Sequence, residues 1–328
     1  DLDRLIEQRA EGVTATDGVP AVLAQRLYKY DPAGRVSAID DGTWGKSTFT
    51  YDAAGRLLGS NVGDYRQAFL YDPAGALVGA LRELGTSGRP TKWKTAAGNR
   101  LLETDSKTYQ YDKRGRRLFA RDKKTAHITD YVWDVRDRLR ELKLSDGSRV
   151  VMSYDAFGRR VRKDVVRGAK TESTEFLHHG NFLCADLQVE RGVRSFVHHP
   201  HSDAPLLHCE RKEVFLVVTD QLGVPKELID AGGRVAWAAR HDAWGRVLRE
   251  KWDATGEKSR GYRVSSPFRL LGQYADEETG LCSTRFRFFD PEVGRWCSAD
   301  PLGLSGGADL HGFDGSPTER DDVLLQEP

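Results

Sequence analysis

Histidine and cysteine side chains, the commonest protein ligands of soft metals, cluster between residues 176 and 209. Six of the nine histidines and two of the four cysteines lie in this segment. Imidazole and thiolate suit zinc and copper, so a metal site is one interpretation. The spacing matches no standard zinc motif, and adjacent histidines in a strand point to opposite faces. We therefore favour structural roles, and predict no cofactor, for His178, His179, His198, His199, His201, His208, Cys184 and Cys209.

The four cysteines show no Cys-x-x-Cys spacing. A chain of 328 residues can bury a core without covalent cross-links, so we expect reduced, partly buried thiols. A disulfide between Cys282 and Cys297 is the alternative, because both are expected in neighbouring strands near the end of the chain.

The overall composition favours a β-rich protein with many tight turns. The sequence contains 33 glycines, 11 tyrosines and seven tryptophans, and its 50 basic residues nearly balance its 49 acidic ones. This balance gives no general attraction to nucleic acid or membrane. The most apolar segment, Val214 to Val218, has the length of a strand and not of a membrane span. The sequence begins without Met or a signal-like segment, so we expect a piece of a longer protein.

The elements that must position any site come from a repeat of about 20 residues. Each copy joins an aromatic-Asp pair to a turn that carries Gly and usually Arg, as in Tyr30 to Arg35. A degenerate copy occupies residues 93–100. Residues 1–9 align with residues 135–142, so we expect the chain to begin inside a repeat rather than with a helix. The repeated aspartates are Asp31, Asp52, Asp72, Asp112, Asp134 and Asp155.

Each repeat has the turn chemistry of a β-hairpin. Asp accepts hydrogen bonds from the backbone, Pro presets φ, Gly supplies positive φ in a bulge, and Arg begins the return strand. Alternating residues before the turn place aromatic side chains on one face. Successive hairpins predict a long antiparallel sheet that curls or stacks to hide its edges. Residues 112–170 have a basic bias, which we interpret as a solvated face or cavity lining rather than a nucleic-acid patch.

Two Asp-Pro turns lie close together near the end of the chain, in FRFFDPEVGRWCSADPLGLSGG at residues 286–307. We expect residues 285–288 to alternate as a strand, followed by turns at Asp290 to Gly294 and Asp300 to Gly303. This segment resembles the core-end signature of Rhs and YD-repeat proteins. Phe215 to Leu228 likewise resembles a hairpin of that family, so the resemblance covers residues 28–307.

The resemblance implies an all-β fold, in which antiparallel hairpins form part of a curled β-shell. It also implies a structural role, because such shells enclose toxins that bacteria deliver through type VI secretion or insecticidal toxin complexes. The implied partners are upstream YD-repeat shell, a toxin polypeptide and a secretion adaptor. The implied location is cytoplasmic before export and then secreted as part of a larger effector. Teneurin-like adhesion proteins also carry YD repeats, so a carbohydrate- or cell-surface-binding module is the alternative.

The resemblance further implies a candidate autoproteolytic pair, Asp300 and Asp322. Family members with a toxin cleave their own chain near a second Asp-Pro motif, and two close carboxylates could share the acid and base roles. The spacing survives here, but the second motif reads Asp322-Val323-Leu324-Leu325-Gln326 and lacks the turn residues. We therefore expect a chain without toxin cargo, in which Asp300 caps a turn or retains weak autoprotease activity.

Three regions are expected along the sequence. Residues 1–175 form a YD-repeat array that begins inside a repeat. Residues 176–307 form the core-end hairpins, and residues 308–328 form a degenerate acidic tail.

Overall fold

A computed structural model describes residues 4–13, 20–84, 88–200, 204–313 and 315–319. The described residues form three antiparallel sheets of eight, 16 and four strands. Within each sheet the strands follow one another in chain order, as expected for successive hairpins. The predicted all-β, antiparallel fold is confirmed, although neither large sheet closes on itself.

The first sheet contains the amino-terminal repeats. Its first strand begins at Glu7, and no helix lies in the described part of the first 13 residues. Its strands are β1 (Glu7–Val13), β2 (Pro20–Tyr30), β3 (Val36–Asp41), β4 (Gly45–Tyr51), β5 (Leu57–Val62), β6 (Tyr65–Tyr71), β7 (Leu77–Leu84) and β8 (Thr91–Lys92).

The second sheet starts at the degenerate repeat, so the break between the large sheets coincides with the weakest copy of the pattern. Its strands are β9 (Lys94–Ala96), β10 (Arg100–Glu103), β11 (Lys107–Tyr111), β12 (Arg117–Asp122), β13 (Ile128–Trp133), β14 (Leu139–Leu144), β15 (Arg149–Tyr154), β16 (Arg160–Arg167), β17 (Lys170–His179), β18 (Phe182–Gln188), β19 (Gly192–His198), β20 (Pro205–Glu210), β21 (Glu213–Thr219), β22 (Pro225–Ile229), β23 (Val235–His241) and β24 (Val247–Trp252). β17 spans the expected boundary at residue 175, and the division into three regions stays a prediction.

The third sheet is small and follows a short helix, α1 (Ala254–Arg260), which Asp253 caps at its amino end. Single 3-10 turns occupy Leu270–Gly272 and Gly303–Gly306. The strands of the third sheet are β25 (Tyr274–Asp276), β26 (Leu281–Ser283), β27 (Phe288–Asp290) and β28 (Arg295–Trp296).

The third sheet lies inside the curve of the two large sheets, and we call residues 264–319 the plug. Nearly every residue of its strands is buried. Phe289 and Trp296 pack with Leu57 and Phe69 of the first sheet, and the same cluster includes Leu101 of the second. A second cluster joins Leu281, Phe288 and Cys297 of the plug to β13–β16. The core is therefore the space between the curled sheets and the plug.

The repeated turns that carry arginine form a ladder of side-chain contacts, in which each such turn is linked to the next one. In one turn, Asp112 Oδ1 accepts hydrogen bonds from the backbone N–H groups of Arg114 and Arg116 at 2.9 and 3.0 Å. Arg116 Nε donates to Asp112 Oδ2 at 2.7 Å, and Arg116 Nη1 donates to the backbone carbonyl of Asp134 at 2.9 Å. Arg35 and Arg56 reach forward in the same way to the next turn. The recurring Asp and Arg side chains of the turn thus connect neighbouring hairpins as well as closing one.

The ladder predicts that two substitutions of Asp112 lower the free energy of unfolding by different amounts. Asp112→Ala removes both the acceptor for the turn and the ion pair, and should lower the free energy of unfolding by about 1–3 kcal/mol. Asp112→Asn keeps a side-chain acceptor but loses the ion pair, so its effect should be about half as large. Urea denaturation measures both, with the exposed Lys113→Ala as the control. An Asn variant as unstable as the Ala variant would show that the turn acceptor contributes nothing.

One sequence prediction is wrong and one alternative is not realised. The strand expected at residues 285–288 begins only at Phe288, because Thr284 and Arg287 close a turn in which the Thr284 N–H bonds the Arg287 carbonyl at 2.9 Å. The alternation of Arg and Phe there reflects a bend and not a pleat, and Phe286 is 45% exposed. All four cysteines are free thiols, including Cys282 and Cys297.

Candidate functional site

Asp300 lies in the plug, at the first position of the predicted Asp-Pro turn. Its Oδ1 accepts the backbone N–H of Leu302 at 2.8 Å, and its carbonyl accepts the N–H of Gly303 at 2.9 Å. Its own N–H donates to the carbonyl of Leu310 at 2.9 Å, which ties the turn to the segment that follows. These contacts are those of a turn residue.

The second carboxylate oxygen of Asp300 forms a buried ion pair. Arg287 Nη2 lies 3.0 Å from Asp300 Oδ2, and both side chains are 5% exposed. The guanidinium of Arg287 also lies over the ring of Trp296, 4.2 Å from its centroid. Gly306 packs so closely that a Cβ there would lie 2.7 Å from Asp300 Cγ. The other candidate, Asp322, lies outside the described residues, so the pairing of the two carboxylates stays a prediction.

Buried ion pairs attach the plug to the surrounding sheet, and the strongest centres on Asp276. Its carboxylate accepts from Arg160 Nη1 at 2.5 Å and from Lys163 Nζ at 2.9 Å, both on β16. Burial alone would raise the pKa of Asp276, but the two positive charges outweigh it and hold the pKa below its usual value. Lys163 Nζ also lies 2.6 Å from Glu278 Oε1, so two basic and two acidic side chains lie together between β16 and the plug.

Other parts of the plug use the same type of contact. Arg117 Nη1 on β12 bonds Asp290 Oδ2 at 2.6 Å, and the Arg117 guanidinium also lies over the ring of Tyr109 at 4.6 Å. In the opposite direction, Arg295 of the plug donates to the backbone carbonyl of Asn99 at 2.7 Å. His311 Nε2 lies 2.7 Å from the carbonyl of Gly115, inside a repeat turn. We call the two large sheets the wall. Polar groups of the wall and of the plug are thus paired at several points.

These attachment residues were not singled out in the sequence, although one signal for them exists. Two turns end in a doubled arginine, Arg116-Arg117 and Arg159-Arg160. The first arginine of each pair binds the turn aspartate, and the second, in the first position of the next strand, points inward to the plug. The second arginine has no role in the turn itself. When its side chain points to the inner face of the sheet, it needs an acidic partner there, so its presence indicates a carboxylate packed against that face.

Two cavities lie where the sheets meet. One is lined by Trp44 of the first sheet, Arg240 of the second and Pro317 and Thr318 of the plug. Thr318 Oγ1 lies 2.7 Å from the hydroxyl of Tyr51, so the carboxyl-terminal part of the described chain passes along the first sheet. The other cavity has charges of both signs, from Arg82, Arg246, Glu83, Asp105 and Glu292. The first cavity is also lined by Asp220 and His241, and Lys226 Nζ lies 3.3 Å from Asp220 Oδ2 and from His241 Nδ1.

The clustered histidines do not converge. His208 is buried between the rings of Phe196 and Phe215, and His198 packs against Phe182 and Phe268, while His179 and His199 lie on the surface. Within the described ranges, no group of three or more His, Cys, Asp or Glu side chains is placed to hold a metal ion. His201 lies outside those ranges.

Because His178 is half-buried, we expect the folded protein to lose stability in mild acid. Burial, with a further contribution from Arg159, lowers its pKa from 6.5 to about 4. Between these values the unfolded chain binds a proton that the folded chain does not, so the free energy of unfolding falls as the pH falls from 6.5 towards 4. The buried His208 and His241, whose pKa burial also lowers, act in the same direction.

Urea midpoints at pH 7.5 and pH 5 measure this loss. His178→Gln should show a smaller drop than the unmodified chain, whereas the exposed His127→Gln should show the full drop. Equal drops in both variants would contradict a role for His178. Asp276, whose pKa is lowered, loses its contribution only in stronger acid, as the pH falls below about 4.

Comparison with known families gives a match over most of the chain. The profile of the family described as Teneurin YD-shell matches residues 25–305. Double-stranded DNA deaminase toxin A of Burkholderia cenocepacia is 34% identical over 89% of this chain and 22% of its own length. Toxin protein Tse5 of Pseudomonas aeruginosa is 30% identical over 88% of this chain and 26% of its own length. This chain therefore spans about a quarter or less of these two relatives.

A solved structure supports the same architecture. The chain matches the crystal structure of TcdB2-TccC3-Cdc42 with a TM-score of 0.72 and 17% identity, over 97% of this chain and 18% of that one. At this identity the likeness establishes the fold alone. In the part of the chain that the structure describes, no helix is long and apolar enough to cross a membrane.

Proposed function

Because this chain belongs to the Teneurin YD-shell family, together with Rhs-type toxins, we propose that it forms a segment of a β-shell that encloses a toxin polypeptide. The observation that carries this proposal is the arrangement of the sheets around the plug. The large sheets already wrap one polypeptide segment on their inner face and hold it with buried ion pairs. A longer wall of the same repeats would enclose a larger space by the same means.

The placement of aromatic side chains favours the shell over a carbohydrate-binding surface. A binding module needs several tyrosines or tryptophans exposed in a cleft, on which sugars stack. All 11 tyrosines and seven tryptophans lie in the described ranges, and none is exposed. The repeat tyrosines instead lie under arginines of the preceding turn, as Tyr51 does under Arg35 and Tyr71 under Arg56. Their π faces are therefore occupied within the wall.

Relatives support a finer proposal about the parent protein. Two relatives are named as toxins, and RhsB of Dickeya dadantii, 29% identical over 94% of this chain and 21% of its own length, is named a probable deoxyribonuclease. We infer that the wall of this protein likewise accompanies a toxin that acts on another cell. Export as part of a larger bacterial effector, with upstream shell and a secretion adaptor as partners, belongs to the same proposal.

Limited proteolysis of the complete natural gene product tests the enclosing role. A toxin polypeptide inside the shell should be digested by trypsin at least about tenfold more slowly than the same polypeptide produced alone, because cleavage requires opening of the wall. Asp276→Ala, which weakens the attachment of the plug, should reduce this protection. Equal digestion rates, or a gene product without any such polypeptide, would refute the proposal.

For Asp300 we propose a structural role, supported by the engagement of both of its carboxylate oxygens by Leu302 and Arg287. The intact mass of the purified chain should therefore stay unchanged during long incubation, both in the native sequence and in Asp300→Asn. Asp300→Asn should lower the urea midpoint, because Arg287 loses its buried partner. Loss of a carboxyl-terminal piece from the native chain alone would instead establish the autoproteolytic pair of Asp300 and Asp322.

A further inference from the structure

The outer face of β17–β21, on the side away from the plug, is apolar. Inward residues of these strands, such as Phe196 and Phe215, are buried against the plug or neighbouring strands. The alternate residues point outward, and Leu187 pairs directly with Val193 across two strands. We call the following six residues, which are between 37 and 62% exposed, the outer apolar face: Leu177, Leu187, Val193, Val197, Val214 and Leu216.

The preceding strands of the same sheet show what a solvated outer face looks like in this protein. On β14–β17 the outward positions carry ion pairs, including Glu141 with Arg149 at 3.3 Å and Arg162 with Asp164 at 2.9 Å. Arg162 also reaches Glu175 at 3.4 Å. Charged outward positions thus give way to aliphatic ones within a single continuous sheet. Contiguous exposed apolar side chains of this kind indicate a surface that another polypeptide covers.

Part of this outer surface is already covered within the chain. Ala24 of β2 packs in one cluster with Val218 and Ile229, which continue the outward rows of β21 and β22, and Ala10 of β1 packs against that cluster. Gln8 Nε2 of β1 donates to the carbonyl of Thr219 at 2.6 Å. The first sheet therefore overlaps the end of the second sheet from outside.

The overlap has a fixed order. β1 lies on β21 through Gln8, and β2 lies on β22 through a buried ion pair between Arg26 and Glu227. The turn after β3 lies beside β24, where Lys251 Nζ donates to the carbonyl of Thr43 at 3.1 Å. The β3–β4 and β5–β6 turns both contact Arg240 of β23, through Trp44 and Asp64, so the strand-by-strand order holds for β1 and β2. Strands added at the free edge of β1 would continue this order in the direction of β20 and β19.

We propose that the outer apolar face is covered by further antiparallel repeat strands that extend the first sheet beyond β1. Among the described strands, β1 is the edge of its sheet, and none of them pairs with its outer side. The covering strands should carry small or aliphatic residues at alternate positions, like Ala10 and Ala24 in the existing overlap. This inference rests on the proposed shell function, and it makes the wall two layers thick at this point.

Cysteine labelling tests the proposal. Val193→Cys is introduced both into the 328-residue chain and into the complete natural gene product, and its reaction with a maleimide is followed by peptide mass spectrometry. Arg149→Cys, on the charged outer face at β15, where the side chain is 52% exposed, is the matched control. We expect Val193→Cys to react at least about tenfold more slowly in the complete product, because covering strands must open first, whereas Arg149→Cys reacts equally in both.

Two results would overturn the proposal. Equal labelling of Val193→Cys in the two proteins would mean that this face stays open. Protection of Val193→Cys in the isolated chain that grows with protein concentration would mean that a second copy of the chain covers the face. Protection from maleimide does not require an enclosed toxin, so this test and the trypsin test of the shell function can fail separately.

Discussion

Asp276→Ala should lower the free energy of unfolding by about 3–5 kcal/mol, because it leaves Arg160 and Lys163 buried without their common partner. Asp276 is fully buried, and water cannot replace the lost carboxylate without opening the contact between β16 and the plug. Asp276→Asn should be nearly as damaging, since Glu278 remains beside Lys163 but the amide leaves the buried charge of Arg160 without neutralisation. Urea denaturation, followed by tryptophan fluorescence, measures the loss.

The control for Asp276 is an exposed ion pair of the same sheet. Glu172 pairs with Arg167 on the outer surface, where both side chains are nearly half exposed. Glu172→Ala should leave the urea midpoint unchanged within error, because water solvates Arg167 after the pair is lost. If the two variants were equally stable, the contact between Asp276 and β16 would not contribute to folding.

Trp244→Ala should lower the free energy of unfolding by a similar amount, about 3–5 kcal/mol, through loss of packing. The Trp244 ring contacts Phe69 of the first sheet and Phe289 and Phe313 of the plug, with ring centroids 5.6–6.0 Å apart. Gly294 packs against it so closely that a Cβ there would lie 2.7 Å from the indole. No neighbouring side chain can fill the space that the indole leaves without moving the plug.

A matched control occupies the same position of another repeat turn. Phe157 follows Asp155 and Ala156 as Trp244 follows Asp242 and Ala243, but Phe157 is 75% exposed. Phe157→Ala should therefore change the urea midpoint little. An equal effect of the two substitutions would mean that the aromatic residue acts within its own turn and not through the plug.

Local turn chemistry made much of the fold predictable from sequence. Asp52, Gly55 and Arg56 lie within five residues, and their contacts need no knowledge of the distant chain. The order of hairpins in the sheets followed from the same pattern. The bend at Thr284 was missed because alternating Arg and Phe also suit a strand, and only the local hydrogen bond between Thr284 and Arg287 distinguishes the two.

The candidate site depended more on distant contacts, which the sequence alone does not reveal. Asp300 was placed correctly in its turn, but its partner Arg287 became evident only from the fold. Asp276 and Arg160 are 116 positions apart, and no local pattern indicates that they meet. The plug was expected as ordinary terminal hairpins, and its position inside the sheets results from apolar burial over many strands.

The arginine ladder gives the wall a direction as well as cohesion. Arg35, Arg56 and Arg116 each reach forward to the turn that follows, so these three junctions join the same donor to the same acceptor. Deleting or duplicating a whole unit by recombination would recreate an identical junction. The number of units is therefore free to change in evolution without a compensating substitution, and the circumference of the wall can vary while its chemistry stays constant.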